Sequence, residues 1–553
     1  MKKKVLIFVV TLSILSLPIF TSAQDTLEVP VEENALVNYV ASDTNSQGEQ
    51  KHKVYKLKSN EFYTYNEPAK IKNPVTIVAP TPKEGQKPPT VRFVKDQTGE
   101  LESNVYGIVS YDDITIKNIR FIPQIGGITD MGAAIKQNAE DKRVKLVNCY
   151  FTGAGTGYIW CYSEGVKIYI DKCYFRNGTS SNSWVPFGVE AVNNSHIDTM
   201  IIRNSTFFNM NGTVQNTGRF SRIDYFEVDH NTVVNTVRGF GFNSGHSNSK
   251  ITNNIFYNLN MAGGPKGWIP EGVSEGNSHT GHILDFEILP GNESDTVESY
   301  IDEADRKYHI KNNVYYWPQE LKDLYESGLQ DSVVFPDLLT DRAEEAFNDD
   351  ESYPHLVYKN NKEMDPEFTK FGGTEKGIQF VENNYAGEAV STWGWDPDSA
   401  DYPEKHWLHM QWPLPEDFTH NIEMKGTDGY HLGSLQFYTD EMEEYYDNLT
   451  PVEDSDTKNK PKQLTLSKNY PNPFNPVTNI KYKLVNPGKV KINVYNVLGE
   501  KVKTLVNTSK TRGSHITQWK GTNEAGQKVS SGIYFYQIKA GNKSKIRKMM
   551  LMK

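Results

Sequence analysis

Lys136, Trp160, Glu190 and Gln215 recur on successive short strand-like segments of this 553-residue chain, and Arg219, Arg238 and His246 lie on the segments that follow. A cation, an indole, a carboxylate and an amide in one column have no packing rationale. Their types fit proton abstraction beside a sugar carboxylate, which needs a cation to acidify the carbon and a base close to it. Arg219, Arg238 and Lys136 are the candidate catalytic residues, as base or as neutraliser of the carboxylate. Trp160, Gln215 and His246 are candidate substrate-binding residues, with Trp160 placed to stack on a pyranose ring, and Glu190 is a candidate oxygen ligand for calcium. His279 and His282, near Asp285 and Glu287, form a weaker metal-like pair. Asp198, Asp224 and Asp229 are spread over turns and strands, unlike the clustered acids of a glycoside hydrolase.

What would line these residues up is a repeat. Seven copies of one phrase run from ITIKNIRF at 114–121 to YHIKNNVYY at 308–316, with apolar anchors at Ile116, Leu146, Ile170, Ile202, Val228, Ile251 and Ile310. The steps between anchors are 30, 24, 32, 26, 23 and 59 residues, the period of a solenoid coil, with the last long enough for an insertion or two irregular coils. Three residues past each anchor stand Ile119, Cys149, Cys173, Ser205, Asn231, Asn254 and Asn313. Stacked at strand spacing, the asparagines form a hydrogen-bonded ladder, with an aromatic column of Phe121, Phe151, Phe175, Phe207, Val233, Phe256 and Tyr315 beside it.

A second strand precedes each anchor, as in GIVSY at 107–111, GYIWCY at 157–162 and GFGFN at 239–243. Alternation turns Ile108, Ile135, Ile159, Val189, Val214 and Phe240 inward, and Val109, Lys136, Trp160, Glu190, Gln215 and Gly241 outward. The expected class is all-β: a right-handed parallel β-helix followed by a small C-terminal β-sandwich.

Composition and charge divide the chain further. Residues 1–23 read as a signal peptide, three lysines ahead of an apolar run with cleavage near Ala23, and no later stretch is apolar for long enough to span a bilayer. Residues 24–100 supply an N-terminal cap and first coils, 101–316 the β-helix, 317–450 an irregular acidic and aromatic segment, 451–463 a linker and 464–553 the sandwich. The irregular segment carries Trp393, Trp395, Trp407 and Trp412 and reads either as a tail packed over the solenoid or as a platform for sugar rings. Residues 464–553 hold 17 Lys and Arg against two acids; apart from them and the three leader lysines, 39 bases face 67 acids. So acidic a body repels nucleic acid and suits calcium better than phosphate. Cys149, Cys161 and Cys173 read as compact ladder residues more readily than as a disulfide with one thiol over.

The last segment has alternating strands, the run Asn469-Tyr470-Pro471-Asn472-Pro473-Phe474-Asn475-Pro476, the turn Tyr495-Asn496-Val497-Leu498-Gly499, Trp519 with Gly521, the strand Gly532-Ile533-Tyr534-Phe535-Tyr536 and a basic end. It closely resembles the C-terminal type A sorting domain of the type IX secretion system. That resemblance implies export across the outer membrane, with residues 464–553 as the address read by the translocon and an extracellular or cell-surface destination. The repeats resemble right-handed parallel β-helix proteins of the pectate-lyase-like superfamily, in architecture alone, without the Arg-x-Pro-x-x-Arg signature of pectate lyases. Together they imply a carbohydrate-active protein, either a lyase cleaving an acidic polysaccharide by calcium-assisted β-elimination or a non-catalytic glycan binder or adhesin.

Overall fold

The computed structural model describes residues 25–259, 282–284, 307–385, 418–448 and 465–552, less short stretches inside these ranges. The leader, the strand at 239–243 with Phe240 and Gly241, Arg219, Arg238, His279, Asp285, Glu287, the four tryptophans at 393–412 and the linker at 451–463 lie outside the described residues. The chain divides into two compact units, 1–441 and 442–553.

The first unit is a parallel β-helix. Each full coil lays one strand in each of three parallel sheets. An eleven-stranded sheet runs from Thr26–Glu28 to Leu356–Lys359, a ten-stranded sheet from Phe62–Tyr65 to Lys362–Glu363, and a six-stranded sheet from Ala69–Ile71 to Gln215–Thr217. All seven anchors stand in one register column of the eleven-stranded sheet, from Ile116 against Leu146 through to Ile251 against Ile310. Because Ile251 and Ile310 are direct partners, the long step is a single enlarged coil. Its strand His282–Leu284 pairs with Asp337–Leu339 and adds Ile283, Leu284, Leu338 and Leu339 to the core.

The coils run past the boundary expected at residue 316. Leu356–Lys359 pairs with Lys307–Lys311, and Lys362–Glu363 with Val314–Tyr316. This copy was hidden because LVYKNNKE puts charged residues where the other copies carry aromatics.

One corner makes the stack possible. Between the eleven- and ten-stranded sheets the chain turns through two residues, the first left-handed at Asn118, Asn148, Lys172, Asn204, His230, Asn253, Asn312 and Asn360, with φ between 46° and 62°. Asparagine tolerates that region better than any residue except glycine. The second residue of the corner points inward and builds the ladder. Asn231 N donates to Asn254 Oδ1 at 2.9 Å, Asn254 Nδ2 to Asn313 Oδ1 at 2.9 Å and Asn313 Nδ2 to Asn361 Oδ1 at 2.8 Å. Each amide also reaches back to a main-chain carbonyl, as Asn254 Nδ2 does to Val228 O at 3.0 Å, so the backbone of the corner is satisfied without water. Toward the N-terminus the ladder changes to Ser205, Cys173 and Cys149, all buried. None of the three cysteines forms a disulfide, and burial holds the Cys161 and Cys173 thiols well above the usual thiol range, so they pack as compact, largely apolar groups.

Beside the ladder the rings of Phe151, Phe175 and Phe207 stack at 4.7 and 4.6 Å, with their planes almost parallel. That separation is the strand spacing itself, so the sheet sets the aromatic contact rather than the reverse.

The second unit is a sandwich of two antiparallel sheets, one of three strands and one of four. Ile480, Tyr482, Leu484 and Trp519 from the first meet Val490, Ile492, Val494, Tyr536 and Ile538 from the second in a single core.

Replacing Asn254 by Ala strands the donors and acceptors of two neighbouring corners. A loss of about 3 kcal/mol in denaturant unfolding is expected, against less than about 1 kcal/mol for Asn360→Ala at the solvent side of the last corner. Equal losses at the two positions would refute the ladder as the source of stability.

Candidate functional site

The outer face of the six-stranded sheet carries one register column: Lys70, Val109, Lys136, Trp160, Glu190 and Asn216. Lys136, Trp160 and the backbone of Glu190 are thus brought together on consecutive coils, as the alternation predicts; the Glu190 side chain lies outside the described part. Gln215 does not join them. It pairs with Val189 in the inward column and is fully buried, while the backbone of Asn216 takes the register place beside Glu190. Val214 stays in the turn ahead of the strand, and that one-residue offset moves Gln215 to the inward face. His246 is elsewhere too, paired with Ile223 in the eleven-stranded sheet, and its side chain is outside the described part.

Around Lys136 the surface is aromatic. Its ammonium lies 4.4 Å from the ring centre of Tyr106 and 4.1 Å from that of Tyr162, and the Trp160 ring sits 5.9 Å from each tyrosine. Two ring faces on one cation exploit the negative potential of the π cloud and fix a long, flexible side chain. The strand beneath is pinned by Gln137, which donates to Asp112 O at 3.1 Å and accepts from the amides of Asn138 and Ala139 at 2.9 and 3.1 Å. Gly107 makes room: a Cβ there would lie 2.5 Å from Tyr65 Oη and 2.6 Å from Ala134 O. The result is a half-buried patch of three rings around one ammonium. It offers flat apolar faces and a positive charge to a ligand.

A second cluster holds the chain's own tail. Residues 418–437 run back along the corner column, meeting its members in reverse order. Lys425 O accepts from Asn312 Nδ2, Thr427 N donates to Asn253 Oδ1, Asp428 pairs with His230, and Ser434 Oγ donates to Asn204 O. Phe418, Ile422 and Leu432 cover Phe208, Ile255 and Val314 beneath. Two glycines permit the close approach, since a Cβ on Gly433 would stand 2.5 Å from Thr232 Oγ1 and one on Gly426 3.1 Å from Asn253 Oδ1.

His230 replaces the usual corner asparagine, and its Nε2 lies 2.8 Å from Asp428 Oδ2. Asp229, His230 and Asp428 have ligand atoms within 4.8 Å of one another, the group among the described residues best able to hold a metal ion. An imidazole with two carboxylates suits a transition ion better than calcium. As it stands, Asp229 Oδ1 accepts from Thr252 and Asn253, and the cluster is complete as an ion-pair latch. Burial pulls the His230 imidazole down, but its hydrogen bond to Asp428 and the charges of Asp229 and Asp428 raise it above the usual histidine value overall. Burial pushes the Asp229 carboxyl up, but His230, Lys250, Thr252 and Arg203 hold it below the usual range overall.

A raised imidazole contributes stability that is whole below its ordinary value, about 6.5, and is lost as pH rises through the raised one; a depressed carboxyl contributes above about 3.9 and loses it on acidification. Both are whole between about pH 4 and 6.5. The melting difference between the chain and His230→Asn is therefore expected to be largest near pH 5.5 and to shrink by pH 8.5; a difference constant over that range would rule the latch out.

No helix among the described residues is long and apolar enough to cross a membrane. No curated protein sequence matches the chain. Among solved structures, dimeric latent PorU from Porphyromonas gingivalis is 15% identical with a TM-score of 0.15, over 19% of this chain and 10% of that one. PorZ, described as an essential surface component of the type-IX secretion system of the same organism, is 17% identical with a TM-score of 0.13, over 17% of this chain and 12% of that one. This chain thus aligns with only a small part of either protein. Residues 468–552 match the secretion system C-terminal sorting domain, so the β-helix is the cargo of a protein sorted to the cell surface or the extracellular space.

Proposed function

We propose that the exported β-helix is a carbohydrate-active protein that holds a uronate-containing glycan on the outer face of its six-stranded sheet, with residues 464–553 engaging the type IX translocon during export. The observation that carries this reading is the clasp of Lys136 between Tyr106 and Tyr162 beside Trp160. Pyranose rings present flat C–H faces to aromatic side chains, and the ammonium supplies the partner for a carboxylate. The acidic body repels polyanions in general, so an acidic glycan needs such a local cation.

Binding is the reading that the described residues support best. Lyase-type β-elimination on the same surface would add calcium at Glu190 and a base from Arg219 or Arg238, next to the sugar that Trp160 stacks.

Isothermal titration of the mature chain with uronate oligosaccharides is expected to give binding that weakens about tenfold, or ~1.4 kcal/mol, in Trp160→Ala and in Tyr106→Ala. Lys136→Met is expected to lose the preference for acidic over neutral oligosaccharides. Absence of binding to every acidic and neutral glycan tried sinks the proposal. Growth of unsaturated-product absorbance that requires calcium turns the reading from binder to lyase.

A further inference from the structure

The outer face of the ten-stranded sheet carries a different concentration of charge. Phe121, Phe151 and Phe175 point inward, so Thr90, Arg92, Arg120, Ile122, Tyr150, Thr152, Tyr174 and Arg176 face outward on four consecutive coils. Three of these are arginines, and no Asp or Glu occurs on any of the four strands. Yet Arg92, Arg120 and Arg176 are 7%, 1% and 6% exposed, an extent of burial that guanidinium groups reach only with partners.

Arg120 is the centre of the group. Its Nε and Nη2 both donate to one hydroxyl, Thr90 Oγ1, at 2.8 and 2.6 Å. Its Nη1 is buried and reaches no acceptor among the described residues. No carboxylate among the described residues pairs with it, and the charged neighbour it does feel is another cation, Arg176. Burial, then Arg176, push the guanidinium down to about 10, which leaves it charged at neutral pH. An uncompensated buried charge costs several kcal/mol, and the Nη1 edge of Arg120 meets no acceptor among the described residues.

We propose that Arg120, with Arg176 beside it and the hydroxyls of Thr90 and Thr152 at its flanks, forms a site for a compact oxyanion, the carboxylate or sulfate group of a small ligand. A planar fork with a free N–H edge recognises such oxyanions in preference to spherical ions. The site lies on a different sheet from the aromatic clasp around Lys136, and it does not depend on that clasp binding a sugar.

The test uses the full mature chain, wild type, Arg120→Met and Arg120→Lys, titrated calorimetrically with sodium sulfate and with galacturonate at constant ionic strength, galactose being the neutral control. Saturable binding of sulfate, galacturonate or both by wild type is expected, and the pattern tells a sulfate from a carboxylate source. Arg120→Lys keeps the charge but loses the fork, and at least tenfold weaker binding is expected there. In melting curves, general salt stabilisation is common to all three proteins, so only wild type should gain a further saturable shift. Two results overturn the proposal: no binding of either anion to wild type, or an Arg120→Met protein that melts higher than wild type in every anion and responds to them equally. The latter is the behaviour of a buried charge with no occupant.

Discussion

The corner between the eleven- and ten-stranded sheets is the constraint on which the β-helix rests. One residue in the left-handed region bends the chain, and the next is turned into the interior with its backbone amide exposed to no solvent. An apolar interior cannot leave that amide unmet. The Asn ladder meets it from Asn231 to Asn361, and in doing so fixes the axial register of those coils and of the anchors Val228, Ile251 and Ile310, while in the earlier coils the sheet ladders alone bring Lys136 and Trp160 side by side and set the ring stack. Where the ladder gives way to Ser205 and the cysteines, the corner persists because a hydroxyl or thiol still reaches a carbonyl, as Ser205 Oγ does at Arg203 O.

The two faces of one corner do different work. The inward residue stabilises the coil, whereas the left-handed residue projects outward and offers an amide to whatever passes over it. The tail uses that row, and at His230 the row changes chemistry from a neutral amide to an imidazole tied to Asp428. A structural repeat thereby becomes a specific address for one segment of the same chain. The outward faces of the sheets are then left to differ from each other, an aromatic clasp on one and buried guanidinium groups on another.

How much of this could be read in advance follows from how local each cause is. The anchors and the ladder from Asn231 to Asn313 were legible because an apolar residue, a left-handed asparagine and an inward polar residue must recur together at every corner. The Asn360-Asn361 pair carried the same mark but lacked the aromatic that follows in the other coils, so the last coil was missed. Tyr162 stands two residues beyond Trp160 and shares its face by simple alternation, whereas Tyr106 lies ahead of its strand, where alternation says nothing. At Gln215 alternation is broken by the turn itself, where one residue, Val214, precedes the strand and shifts Gln215 from outside to inside. The burial of Arg120, and the partnership of His230 with a residue 198 positions away, depend on contacts that no periodicity encodes.

The reversed path of residues 418–437 has a kinetic meaning. Its hydrogen bonds span 113 residues at Asn312, 174 at Asn253, 198 at His230 and 230 at Asn204. Loop closure over such lengths grows so slowly that the farthest of these bonds costs only about 0.6 kcal/mol more entropy than the nearest. The segment can therefore zip from either end once the coils exist, but not before, because its docking row is assembled from coils that must already be stacked. High contact order makes it a late-forming brace over coils that are already in place.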